Sequence, residues 1–185
     1  GQLSRVGTQV LHESAVEPVR VRHIPLQIRS TFRPDLPGTL IRTRHDGASG
    51  IAGFAGRRRM AMLRIHGAPP GAPAEALRAL GEEPFCLSET LGQTTVLLDM
   101  GSGSETATLA ARLRAQLPGA EVTLRENLAV LAAICRTSDA IPPVLQAVES
   151  AGVPVHHLLR CAPGLLMIVN DSQYETALRS ASVSK

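Results

Sequence analysis

Apolar residues between positions 60 and 182 recur in an order that occurs twice along the chain. Short apolar runs typical of strands alternate with segments whose apolar residues recur at helical spacing, as at Leu109, Leu113 and Leu117. Pro and Gly are concentrated in the first connection, 67–73. The first copy therefore predicts a strand, a helix, two strands, a helix and a closing strand, at 60–65, around Leu77, 85–91, 94–100, 109–117 and 122–125.

The second copy repeats this order as far as its second helix. Ser172 and Glu175 have the spacing of a capping box in front of that helix. Thr95 corresponds to Leu165 in this alignment, an offset of 70 positions, which is longer than most solenoid repeats and favours a duplicated domain. The predicted elements are an apolar strand at 128–135, a helical stripe of Ile141, Leu145 and Val148, strands within 153–161 and 165–169, and a helix with Tyr174, Ala177, Leu178 and Ala181.

The order of one copy, βαββαβ, is that of the ferredoxin-like fold, in which two helices cover one face of an antiparallel sheet. The second copy has no strand after its last helix, and an open sheet edge would expose unpaired backbone groups. We expect an upstream run to fill that edge, with Ile51–Ala55 the first choice and Ile24–Ile28 the second. The sequence thus predicts an α+β protein of two ferredoxin-like domains, the first inserted within the second.

Composition narrows the classes of protein that this chain can represent. Hydrophobic residues make up 44% of the 185 positions, which is enough for a core, and Trp is absent. The net charge of +3 says little about partners, and the scarcity of aromatic residues on strands disfavours stacking on nucleic acid bases. No apolar run approaches the ~20 residues needed to cross a bilayer. Three separate cysteines within strand-like runs indicate buried thiols in a reducing cytoplasm: Cys86, Cys135 and Cys161.

Several local motifs receive structural interpretations. The segment Asp99–Ser104 resembles a phosphate loop but lacks its Gly-Lys-Ser/Thr ending, so we interpret it as a connection with Ser104 as a helix cap. Arg57–Arg59 is interpreted as a solvated turn between strands. His156 and His157 are adjacent on a predicted strand and point to opposite faces, so no metal site is predicted.

Two stretches resemble a known family. Gly7-Thr-Gln-Val-Leu-His-Glu-Ser-Ala-Val16 resembles the last helix of the catalytic domain of aspartate kinases, and Ile24–Ile41 is similar to the connector that follows it. The resemblance implies two interleaved ACT domains, which are ferredoxin-like. The implied organisation is the tail of a kinase domain at 1–23, a connector at 24–50, a donated strand at 51–59, a first ACT domain at 60–127 and a second at 128–185.

The resemblance implies a regulatory region of an enzyme that phosphorylates aspartate with ATP, the entry step to lysine, threonine and methionine. ATP and Mg would bind the missing kinase domain, and this fragment would hold no cofactor and have no activity of its own. The region would bind lysine or threonine and form a homodimer through its ACT domains, with no nucleic acid or membrane partner. The alternative is a degenerate ACT pair that serves subunit assembly only.

The family also implies an effector site, at the first loop and the facing strand of each copy. A loop that enters a helix offers N–H groups to an amino acid's carboxylate. The loop here lacks the family's acidic residue, and its prolines remove donors, so weak binding is expected, with Glu89 the nearby carboxylate for the ligand's ammonium. Gln9 replaces a lysine that lies near the nucleotide in relatives. The candidate effector residues are Gly67, Ala68, Pro69, Pro70, Gly71, Ala72, Ser88, Glu89, Thr90, Arg160 and Cys161.

Overall fold

A computed structural model describes residues 18, 19, 21, 22, 24–32, 35, 39–41, 50–100, 105–161 and 164–183. Gln9 and the segment Gly7–Val16 therefore lie outside the described residues, as does Ser104. The strands are β1 Leu26–Ile28, β2 Thr39–Ile41, β3 Ile51–His66, β4 Cys86–Thr90, β5 Gln93–Asp99, β6 Glu121–Cys135, β7 His157–Cys161 and β8 Gly164–Asn170. The α-helices are α1 Ala72–Ala79, α2 Thr106–Gln116, α3 Ile141–Ser150 and α4 Tyr174–Val183, with 3-10 turns at Ser138–Ala140 and Asp171–Gln173.

Six strands form one antiparallel sheet in the order β4-β5-β3-β6-β8-β7, and β1 pairs with β2 in a separate ribbon. The first part of β3 pairs with the last part of β6, with Ile51 opposite Cys135 and Ala55 opposite Ala132. The pairing predicted for Ile51–Ala55 is confirmed. The second choice, Ile24–Ile28, contributes Leu26–Ile28 to the ribbon instead.

The central strands β3 and β6 are longer than predicted, because each runs through both copies. The sequence indicated strand ends near 55 and 125, whereas the structure has bulges there: the register shifts between Arg57 and Met60 and again before Met62. Arg59 and Asn127 take positive φ values of 59° and 56° at these points. A residue in the left-handed region turns the chain within a strand without ending it. The interpretation of Arg57–Arg59 as a turn between strands is therefore wrong.

An approximate two-fold relation links the halves of the sheet. Met60 pairs with Leu128 at its centre, and the pair Arg57 with Val130 is matched by the pair of Arg125 with Met62. The two hairpins also correspond, since Gln93 and Gly164 both follow the turn, which gives an offset of 71. The offset of 70 predicted for the strands is wrong by one, because loop lengths differ between the copies and only the pairing reveals the alignment.

The core has three parts. In the first half, Leu63 and Ile65 pack with α1 and α2, and in the second half Leu131 and Met167 pack with α3 and α4. A third cluster lies on the opposite face of the sheet, and none of α1–α4 contributes a residue to its described members. Because its residues are buried, the two halves of the sheet must fold onto each other. The cluster consists of Met60, Met62, Leu97, Leu128, Val130, Ala132, Ile134, Leu166 and Ile168.

The predicted helices are present, with small changes in the faces that they bury. In α2 the leucines at 109 and 113 are buried, as the spacing predicts. In α3 the buried residues are Val144 and Val148, while Ile141 and Leu145 are half-buried. Two prolines occupy the first turn of α3, where the missing N–H groups have no helical partner in any helix.

We predict that Gly164→Ala destabilises the protein. A Cβ at Gly164 would lie 2.2 Å from the backbone oxygen of Ala133, so the β6–β8 pairing would have to move. Overpacking of this kind lowers the free energy of unfolding by about 1–3 kcal/mol, measured by urea denaturation. Gly53→Ala on β3 is the control, since a Cβ there meets nothing within 4 Å. Equal effects of the two substitutions would contradict the close approach.

Candidate functional site

The predicted effector loop connects β3 to α1. Gly67 and Gly71 have φ values of 77° and 81°, which glycine adopts without steric cost. The N–H of Gly67 donates to the carbonyl of Gly92 (3.0 Å), which ties the loop to the β4–β5 hairpin. Gly71 is the N-cap of α1, and Pro73 follows in its first turn. The loop therefore leads directly into a helix N-terminus, as the sequence predicted.

Glu89 occupies the entrance to this helix. Its Oε1 accepts a hydrogen bond from the backbone N–H of Gly71 (2.8 Å) and lies 3.4 Å from the hydroxyl of Thr94. The N-terminus of a helix favours negative charge, because its N–H groups are unpaired and the helix dipole is positive there. The sequence prediction assigned Glu89 to a ligand's ammonium. In the structure its carboxylate is engaged with a backbone N–H at the start of α1, and the assignment to an ammonium stays a prediction.

The other predicted residues of β4 lie elsewhere. Leu87 packs with the first-half core under α1, and side chains alternate along a strand, so Glu89 shares its face. Ser88 and Thr90 belong to the opposite face, away from the loop. The hydroxyl of Thr90 donates to the carbonyl of Gln93 (3.2 Å) and closes the hairpin. Of the three β4 candidates, only Glu89 meets the loop.

The second half has a related contact of opposite charge. Arg160 is one residue before the end of β7, the first strand of its hairpin. Glu89 holds the same position in β4. The Nη2 of Arg160 donates to the hydroxyl of Ser138 (3.3 Å), in the connection before α3. A hydrogen bond from Thr137, and then one from the backbone, hold the pKa of Asp139 below its usual range. The side chain of Cys161 is not described.

Thr137, Ser138 and Asp139 were missed by the sequence analysis. The signal was available, because small hydroxyl and acidic residues just before prolines and an apolar stripe are typical of a helix start. The second site was predicted from its strand alone, at Arg160 and Cys161, without the facing loop.

Polar side chains also join the two halves of the sheet where these halves fold onto each other. At one end, Arg57 forms an ion pair with Asp99 (2.9 Å), and its guanidinium lies over the ring of Phe85, 5.7 Å from the centroid. Both side chains of the ion pair are partly exposed, so the pair contributes little by itself. It links the bulge of β3 to the last residue of β5.

At the other end, Arg125 approaches His156, with 2.6 Å between Nη1 and Nδ1. Arginine can only donate, so Nδ1 is the acceptor, and Nε2–H donates to the Asn170 oxygen (2.8 Å). Arg64 donates through Nη2 to the carbonyl of His156 (2.6 Å). Burial, and then the positive charge of Arg64, lower the pKa of His157.

Asp171 anchors the bulge of β3. Its carboxylate accepts hydrogen bonds from Arg58 at Nη2 (2.7 Å) and Nε (3.3 Å), and from the backbone N–H of Arg59 (3.1 Å). The Arg58 guanidinium lies 5.9 Å from the ring centroid of Tyr174, the first residue of α4. The hydrogen bond from Arg58 is the main cause that lowers the pKa of Asp171 below its ordinary 3.8. This network ties the left-handed residue to the start of the last helix.

Comparison with known proteins shows which fold this chain shares. No family model matches the chain. The chain is 24% identical to aspartokinase 2, chloroplastic, of Arabidopsis thaliana, over 97% of its own length and 36% of that protein's. The aspartate kinase of Clostridium acetobutylicum superposes with a TM-score of 0.82 at 19% identity, covering 99% of this chain and 45% of that one. The regulatory subunit of aspartate kinase from Thermus flavus superposes with a TM-score of 0.63 at 19% identity, covering 74% of this chain and 99% of that subunit.

This chain has the fold of an aspartate kinase regulatory region. It spans about a third of the length of the plant aspartokinase. The family resemblance noted in the sequence is thereby confirmed at the level of the fold. Among the described residues, no helix is long and apolar enough to cross a membrane. Nor do three or more His, Cys, Asp or Glu side chains of the described residues come together as a metal site would require.

We predict that Asp171→Asn makes the protein less stable and its stability less sensitive to acid. The lowered pKa means that Asp171 stabilises the folded state fully above the pKa of the unfolded chain, and that this is lost as the pH falls through the lowered pKa. The substitution should lower the Tm at pH 7 by roughly 2–4 °C. Circular dichroism melts between pH 7 and pH 3 measure it, with exposed Glu149→Gln as the control. The wild-type and the Asp171→Asn protein should converge at acid pH; a constant difference would contradict the role.

Proposed function

We propose that this chain is the allosteric regulatory region of an aspartate kinase. The observation that carries the proposal is the crossed pairing of β3 and β6, in which Ile51–Arg57 completes the sheet of the second half. Each half then contains four strands and two helices, and the chain must pass through the first half to complete the second. Regulatory regions with this fold are found in aspartate kinases, which supports the assignment.

We infer that the halves are ferredoxin-like ACT domains, the first inserted within the second. The strand order β4-β5-β3-β6 is that of one βαββαβ unit, and β7-β8-β6-β3 is that of the other. On this basis the first domain is 60–127, and the second is 128–185 completed by 51–59. Residues 24–50 would connect them to a kinase domain whose tail is 1–23.

The parent enzyme would transfer a phosphoryl group from ATP to aspartate at the first step of lysine, threonine and methionine synthesis. ATP and Mg would bind its kinase domain in the cytoplasm. The regulatory region would bind an end-product amino acid and hold subunits together as a homodimer. Sedimentation equilibrium on this chain tests the last point, and a monomer at high micromolar concentration would contradict it.

The candidate effector site is the loop at Gly67–Ala72 with Glu89. An amino acid's carboxylate needs the N–H groups at the start of α1, but Glu89 already accepts from Gly71, and the N–H of Ala72 donates to the carbonyl of Pro69 (3.1 Å). The ligand must therefore displace an internal carboxylate. This supports weak binding of lysine or threonine.

The same contact favours a second candidate function, an ACT pair that serves assembly only. A side chain held on the same polypeptide has a high effective concentration at the loop, whereas a free amino acid must also lose translational freedom. If Glu89 is a permanent cap of α1, no effector binds in the first half. The two candidates differ in what removal of Glu89 does.

We predict that Glu89→Ala strengthens the binding of lysine or threonine. The substitution frees the Gly71 N–H and removes a negative charge that repels the ligand's carboxylate. Calorimetry should show weak binding to the wild type and an affinity at least a few-fold higher for the variant; a ligand at several times Kd should raise its Tm by roughly 2–4 °C.

Glu149→Gln, which removes one negative charge on α3, is the matched control and should behave as the wild type. If no amino acid in a panel of the twenty binds either the wild type or Glu89→Ala, the sensing function is wrong and the assembly function remains. Binding that Glu89→Ala weakens would instead restore the role of Glu89 as partner of the ammonium.

A further inference from the structure

The two ends of the junction between the half-sheets correspond under the internal two-fold relation. Met60 pairs with Leu128 at the centre of this relation. Arg57 lies three residues before Met60 and Arg125 lies three residues before Leu128, so the two arginines hold equivalent positions. Asp99 and Asn170 are equivalent as well, since each ends the last strand of its hairpin. At these equivalent positions the two ends of the junction therefore differ by the Asp99 carboxylate.

That difference leaves the Arg125 end of the junction without an acid. Arg57 pairs with the carboxylate of Asp99. Among the described residues, Arg125 instead contacts the imidazole of His156, whose Nε2–H donates to the uncharged amide oxygen of Asn170. Among residues 50–100, 105–161 and 164–183, no carboxylate lies within ion-pair distance of Arg125 or Arg64. Two guanidinium groups thus converge on one histidine.

Two buried nitrogen atoms at this end also lack a partner, and the one on Arg64 is a donor. Arg64 Nε and His157 Nε2 are shielded from solvent and have no hydrogen-bond partner among the described residues. A buried polar atom without a partner costs free energy, so nearly all such atoms in proteins are paired with protein, water or a ligand. Arg64 donates through Nη2 to the His156 carbonyl, so its Nε remains without a partner.

We propose that the end of the junction formed by Arg64, Arg125, His156 and His157 binds a small oxyanion of the phosphate type. A guanidinium binds phosphate oxygens through pairs of parallel N–H bonds, and two of them match a doubly charged ligand. Arg125 is exposed, which gives the ligand an entry from solvent. The oxyanion supplies the negative charge that Asp99 supplies at the other end.

This site is separate from the candidate effector loop. Arg64 lies on β3, Arg125 on β6, and the two histidines at and just before the start of β7, whereas the loop lies at the start of α1. A bound anion would hold the half-sheets together at the end that has no ion pair. The site does not depend on whether an amino acid binds elsewhere.

The test compares unfolding of the full 185-residue chain in sodium phosphate, sodium sulfate, sodium acetate and sodium chloride at one pH and one ionic strength. Phosphate at about ten times Kd should raise the Tm by roughly 3–6 °C relative to chloride. Arg64→Gln and Arg125→Gln should lose this shift. Arg57→Gln is the matched control, because it removes the equivalent arginine at the paired end, and it should keep the shift.

Asn170→Asp is the converse variant. It places a carboxylate where the other half has Asp99, so it should raise the Tm in chloride and abolish the additional effect of phosphate. An equal Tm in all four salts would overturn the proposal, because it would mean that water alone satisfies these donors. A phosphate shift that Arg57→Gln removes as fully as Arg125→Gln, or that Asn170→Asp retains, would overturn it as well.

Discussion

The crossed pairing of two long strands is the constraint on which the rest of the structure depends. β3 and β6 each run through both halves of the sheet, so neither half has a complete set of strands without the other. The bulges at Arg59 and Asn127 let these strands change direction, and the opposite faces then close over a common apolar cluster. Burial of that cluster and the shared strands make the halves one cooperative unit.

The halves share a backbone plan but differ in the chemistry of equivalent positions. Glu89 and Arg160 face the first loops of their halves with opposite charge. Arg58 reaches Asp171 before α4, while the equivalent Glu126 accepts from the hydroxyl of Thr106 at the start of α2. Hydrogen bonds between strands set the fold and do not require a particular side chain at these sites. The same plan therefore carries two different sets of side chains at equivalent positions.

The start of α1 at the candidate effector loop has the backbone geometry of a ligand site, but Glu89 of the same chain occupies it. The loop has the glycines that a tight approach to a ligand needs, at Gly67 and Gly71. Its three prolines reduce the number of N–H donors, and Glu89 uses one that remains. A site can therefore keep the backbone geometry of recognition while its own side chain satisfies the charge.

The order of strands and helices, the duplication and the borrowed strand could all be derived from the sequence. They follow from the apolar runs, the helical spacing and the unfilled edge of the second copy, which are local properties of the chain. Gly67–Ala72 was likewise recognisable, because Pro and Gly restrict the backbone wherever they occur. Only the tertiary structure decided that Glu89 caps α1, that β3 and β6 continue through their bulges, and that Arg64 and Arg125 meet at His156. Those outcomes depend on strand register and on the folding of one half-sheet over the other, and contacts between residues far apart in the chain leave no periodicity in the sequence.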